Sequence, residues 1–144
     1  MSKVLVIDDD RSVSEMVQRS LEKIGVSVEK ALTAERGLEM LQEHEIDTVL
    51  LDIMLPGASG LDVFHRIRDF DRKLPVIFIT SGTDSTTAIK AMQLGGFEYV
   101  TKPLDLPALN DLVDKAIQTR RIMNTPVALP MSNGGQTNSE AFIG

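Results

Sequence analysis

Residues 49–60 read VLLDIMLPGASG: three apolar residues run straight into one carboxylate, Asp52, and a Pro-Gly turn follows. A short apolar run bounded by a turn marks a strand buried on both faces of a sheet. A charge at the end of such a strand is unfavourable unless other groups compensate it. Asp52 therefore raises the question of which charged residues the rest of the chain can bring to it.

Four more apolar runs of similar kind flank this one: KVLVID (3–8), VSVEKAL (26–32), PVIFIT (75–80) and FEYV (97–100). Between them lie segments with apolar residues at helical spacing. The first carries Val13, Met16, Val17, Leu21 and Ile24 on one stripe and stops at Gly25. The second follows Thr33, a capping residue, with Ala34, Leu38 and Leu41 inward. The third places Leu61, Phe64 and Ile67 on one face, and the fourth Ala88, Ala91, Met92 and Gly95. Leu106, Leu109, Leu112, Val113, Ala116 and Ile117 mark a long last helix. Strands alternating with helices at this spacing predict βαβ units: an α/β fold with a doubly wound, five-stranded parallel sheet. Ligands of such sheets bind beyond the carboxyl ends of the strands, where strand order reverses.

Composition narrows the possibilities. At 144 residues, 42% hydrophobic and 25% charged, the chain is one domain plus at most a tail. After Arg121 the sequence becomes rich in Pro, Gly, Ser, Asn and Thr without periodicity, so 1–121 reads as the domain and 122–144 as a linker or tail. A net charge of −6 argues against direct nucleic-acid binding. The absence of cysteine excludes disulfides, thiolate metal sites and thiol nucleophiles. The first apolar run is too short for a signal peptide or membrane span, so a cytoplasmic protein without membrane contact is expected.

The polar residues at the strand ends carry the chemistry. The first strand ends in Asp8, Asp9 and Asp10, the third in Asp52, the fourth in Thr80, and the fifth leads to Thr101, Lys102 and Pro103. Carboxylates gathered on one edge repel one another unless a cation intervenes. Oxygen-only ligands suit a hard ion, Mg²⁺ or alternatively Mn²⁺. Such an ion with Lys102 and the Thr80 hydroxyl would neutralise a phosphoryl group transferred to Asp52. Asp10 reads as a cap of the helix that follows.

In order and spacing, VLVIDDD, DTVLLDIMLPGASG, PVIFITSG and FEYVTKP resemble the receiver domains of two-component response regulators. The resemblance covers residues 3–121 and implies the (βα)5 flavodoxin-like receiver fold with strand order 2-1-3-4-5. It implies that Asp8, Asp9, Asp52 and the Met54 backbone carbonyl hold the metal and that Asp52 accepts the phosphoryl group. It makes Thr80 and Tyr99 the switch residues and Lys102 the phosphate-binding cation, aimed by a cis Lys102–Pro103 bond. The implied partners are a sensor histidine kinase and an output domain, its own or separate, with control of transcription as the outcome. An output face built from the helix near residues 88–94, the fifth strand and the last helix also allows a homodimer. The ending SEAFIG (139–144) resembles the junction at which sigma-54-dependent activators of the nitrogen-regulation type pass into their AAA+ ATPase domain.

Other readings fit less well. His44 and His65 lack any metal-binding spacing and read as surface residues, and no phosphate-binding GxxxxGK[ST] loop occurs. Arg120 and Arg121 are a basic pair at a helix C-terminus, favoured there by the macrodipole. Aspartyl-phosphate phosphatases of the haloacid-dehalogenase type need a second Asp two residues after the nucleophile, where this chain has Met54. A pseudo-receiver that is never phosphorylated would not need Asp9, Asp52, Thr80 and Lys102 together. The expectation is a self-phosphorylating and self-dephosphorylating switch, not a turnover enzyme.

Overall fold

The three central strands are apolar because both of their faces are covered. In the computed structural model, which describes residues 2–82 and 85–124, β1 (Lys3–Ile7), β3 (Thr48–Asp52) and β6 (Val76–Thr80) are almost entirely buried. The flanking strands β2 (Ser27–Ala31) and β7 (Glu98–Thr101) are half-buried, as edges should be. All five run parallel in the order β2-β1-β3-β6-β7, which is 2-1-3-4-5 when the sheet strands are counted alone. The loop after β3 adds a two-stranded antiparallel hairpin, β4 (Met54–Leu55) with β5 (Ala58–Ser59). Residues 125–144, which hold most of the expected tail, lie outside the described residues.

Alternation along the strands divides the core in two. Leu5, Ile7, Val49, Leu51, Val76 and Phe78 meet residues of α2 (Ala34–Glu43), α3 (Gly60–Phe70) and α4 (Ser85–Gln93) on one face. Val4, Val6, Leu50, Ile77 and Ile79 meet α1 (Arg11–Glu22) and α5 (Leu106–Asn124) on the other. Each fully buried Leu or Ile contributes about 1.5–3 kcal/mol relative to exposure.

Local chemistry sets where the helices start. Asp10 caps α1 by accepting from Ser12 N (2.9 Å) and Val13 N (3.4 Å), as its sequence position suggested. Thr33 caps α2 through Arg36 N (3.1 Å), and Ser59 caps α3 through Leu61 N (3.2 Å). Gly60, the first residue of α3, presses against the loop that follows Asp52: a Cβ there would stand 2.5 Å from Ile53 Cα and 2.9 Å from Asp52 O. Only glycine permits this approach.

Two residues depart from the periodicity expectation. Ile24, expected on the inward stripe of α1, lies beyond the helix, which ends at Glu22, and is 49% exposed. Gly95, expected on the face of α4, lies beyond its end at Gln93, in the following turn with φ +109°.

Candidate functional site

Sheet register brings the predicted residues together. Ile7 pairs with Leu51, so the next residues, Asp8 and Asp52, come level at the C-terminal ends of β1 and β3. Asp52 pairs with Ile79, one step before Thr80, and Thr80 pairs with Thr101, one step before Lys102. The strand order reverses between β2-β1 and β1-β3, so the group stands at the topological switch point. The Lys102–Pro103 peptide is cis, as the resemblance implied.

The geometry is one of crowded negative charge. One carboxylate oxygen from each of Asp8, Asp9 and Asp52 lies within 4.8 Å of the other two. Asp8 is fully buried, Asp52 is 5% exposed, and Asp9 faces solvent. Lys102 Nζ lies 3.1 Å from Asp8 Oδ2 and 3.6 Å from Asp52 Oδ2. Backbone amides hold the remaining oxygens: Met54 N donates to Asp52 Oδ1 (2.9 Å) and Asp10 N to Asp8 Oδ1 (2.9 Å). Asp8 Oδ2 has no aligned hydrogen bond; its contact with Lys102 is an ion pair by distance alone.

Burial pushes the Asp52 carboxyl above its ordinary range. The Asp8 charge adds to this, while the Met54 N–H and Lys102 oppose it. Burial works against the Lys102 ammonium, but Asp8, Asp52 and Asp10 outweigh it and raise its pKa. Among the described residues, three carboxylates against one ammonium leave negative charge uncompensated. The donor set is all oxygen, and one buried oxygen lacks a directed partner. This is the chemistry that a hard divalent cation satisfies, so the residues fit such an ion.

Thr80 is buried at the end of β6, where its Oγ1 accepts from Gly82 N (3.2 Å) and its carbonyl accepts from Lys102 N (2.8 Å). Tyr99 lies on β7 beside Phe78 and is 42% exposed. Asp10 is committed to capping α1. His65 is exposed as expected, but His44 is half-buried, with Lys3 Nζ 3.4 Å from its Nδ1 and Glu29 Oε1 3.9 Å from its Nε2. Sequence reasoning did not find the amides of Met54 and Asp10 that hold the carboxylates. An Asp followed two residues later by a free N–H is the signal that would have suggested them.

Residues 4–114 match the response regulator receiver domain family. The transcriptional regulatory protein DltR of Streptococcus agalactiae is 37% identical over 107 residues, 74% of this chain and 48% of that protein. The DNA-binding transcriptional regulator NtrC of Azospirillum brasilense is 30% identical over 141 residues, 98% of this chain and 29% of that protein. The chain thus spans about half of one relative and less than a third of the other. The crystal structure of a response regulator receiver domain protein from Clostridium thermocellum superposes with a TM-score of 0.81 at 32% identity. It covers 85% of this chain and 99% of that one. By sequence, strand order and fold, this chain belongs to the response regulator receiver domain family.

Proposed function

We propose that the chain is a phosphorylation-dependent switch that accepts a phosphoryl group on Asp52 from a sensor histidine kinase. The supporting observation is the cluster of Asp8, Asp9 and Asp52 with Lys102 placed between Asp8 and Asp52. An Asp52 carboxylate oxygen attacks phosphorus in line, the P–N bond to the donor histidine breaks, and the released imidazole takes its proton from solvent. Lys102 neutralises charge on the transferred oxygens, and the Met54 N–H orients the nucleophile. Mg²⁺, or Mn²⁺, would be held by Asp8, Asp9, Asp52 and the Met54 backbone carbonyl, and supplies positive charge to the phosphoryl oxygens.

The added phosphate calls for another hydrogen-bond donor, and Thr80 supplies it by turning its hydroxyl inward. Tyr99 follows into the vacated space, which biases a surface made of α4, β7 and α5. That surface controls an output domain, with transcription as the regulated process, as the names of DltR and NtrC suggest. An AAA+ ATPase domain is the output suggested by the likeness of the chain's ending to sigma-54-dependent activators. Pairing of two copies through the same surface is the matching mode of self-association.

Incubation with acetyl phosphate and Mg²⁺ should add one phosphoryl group, and Asp52→Asn should abolish the gain. A group retained by Asp52→Asn on another carboxylate refutes the assignment. Beryllofluoride should shift the amide resonances of residues 85–106 far more than those of 26–41. Equal shifts in both regions would indicate general tightening without a directed switch.

A further inference from the structure

A second polar site lies between the first helix and the edge strand, among residues that the phosphoacceptor chemistry does not use. Arg11, Ser14 and Glu15 of α1, Lys30 of β2 and Leu32 just beyond it line a cavity of about 190 Å³. Ser14 is 1% exposed, and its hydroxyl has no hydrogen-bond partner among the described residues. A buried hydroxyl without a partner is disfavoured, and in native proteins it commonly signals a ligand or an ordered water. Arg11 and Lys30 likewise have no ion-pair or hydrogen-bond partner among the described residues, although the chain carries a net charge of −6. Two free cations and a free donor share one cavity with one apolar wall, Leu32, and one carboxylate, Glu15.

We propose that this cavity binds a small oxyanion of the phosphate or carboxylate class. The Ser14 hydroxyl donates to one oxygen, Arg11 and Lys30 balance the charge, and Leu32 shields one side from water. The cavity is smaller than the roughly 300 Å³ of pockets for drug-sized ligands. At about 30 Å³ per water, it holds the space of about six waters, which suits an ion of a few heavy atoms. Glu15 opposes the anion and keeps affinity modest. The site does not depend on the phosphorylation of Asp52.

The test is an amide-shift titration of the Mg²⁺-free chain with inorganic phosphate, sulfate or acetate, with chloride holding ionic strength constant. Saturable shifts are expected at residues 11–15 and 30–32, and they should persist in Asp52→Asn. Arg11→Gln, Lys30→Gln and Ser14→Ala should each weaken phosphate about five- to ten-fold, as loss of one charge-assisted contact does. Glu15→Gln should tighten it. Without phosphate, Ser14→Ala should leave the melting temperature unchanged or raise it, because the hydroxyl has no bond to lose. Shifts reproduced by chloride alone, shifts centred on Thr80 and Lys102, or unchanged binding in Ser14→Ala would overturn the proposal. A lowered melting temperature in Ser14→Ala would overturn it too, by showing that the hydroxyl already has a partner.

Discussion

The two ends of the sheet use the same residue types to opposite effect. At the N-terminal end of β6, Asp71 is gripped by both arms of Arg120, with Nη1 3.1 Å from Oδ1, and accepts from Lys73 N (2.9 Å). Burial alone would raise its pKa, but Arg120 and the Lys73 N–H overcome this and the net shift is downward. Nearby, Asp47 accepts from Lys3 N (2.8 Å), and Lys3 Nζ lies 3.4 Å from Glu29. At the C-terminal end three carboxylates share one ammonium, and the Asp52 pKa is raised. Complete pairing makes a carboxylate part of the scaffold, while incomplete pairing leaves it available for chemistry.

The sharpest way to break this contrast is to remove Lys102, the cation paired with Asp8 and Asp52 at the open end. Lys102→Met should slow phosphorylation by acetyl phosphate about a hundredfold, as loss of one charge-stabilising donor does, with the fold intact by circular dichroism. Asp71→Asn should do the reverse, costing about 1–2 kcal/mol in urea unfolding after allowance for partial solvent screening, with phosphorylation rates unchanged. Its sign with pH follows from the lowered pKa. The Asp71 contribution is fully present above the unfolded carboxylate pKa of about 3.9 and is lost as pH falls through the folded value. Wild type and Asp71→Asn should therefore converge in stability in strong acid.

Asp9→Ala should weaken Mg²⁺ binding about tenfold in a fluorescence or calorimetric titration, since it removes one of the proposed charged hard ligands. The smallest effect is expected at the mouth of the site. Met54 is apolar and 61% exposed there, and Gly82 contributes no side chain. A polar group at position 54 can hold the attacking water, so Met54→Asn should speed loss of the phosphoryl group roughly threefold. An equal or slower rate in that variant contradicts the role given to Met54.

The open end was far more legible in the sequence than the paired end. Asp8, Asp52, Thr80 and Lys102 each follow an apolar run, and parallel register then leaves them no other place to converge. The pairing of Asp71 with Arg120 joins residues 49 apart, the residue that ends α3 on one face of the sheet and the last turns of α5 on the other, and no local pattern encodes it. The sequence shows Arg120 only as a cation suited to a helix terminus, and His44 only as a surface residue, because their partners come from other elements. Ile24 and Gly95 show a different limit. Periodicity identifies a helical face but does not say where the helix stops, and both residues lie just past an end. The β4–β5 hairpin is two residues per strand, too short to leave an alternating pattern.

The close approach of Gly60 to the Asp52 loop has a bearing on protein engineering. Any side chain at that position would have to displace the backbone of Ile53 or the carbonyl of Asp52, so α3 would move away from the proposed phosphoacceptor. A residue with no chemistry of its own is therefore among the least replaceable positions near the site. Met54, two residues after Asp52, points largely into solvent, so a different side chain there displaces no backbone. A library built to retune donor preference or signal lifetime should fix Gly60, keep Gly82, whose φ of +86° favours glycine, and diversify Met54.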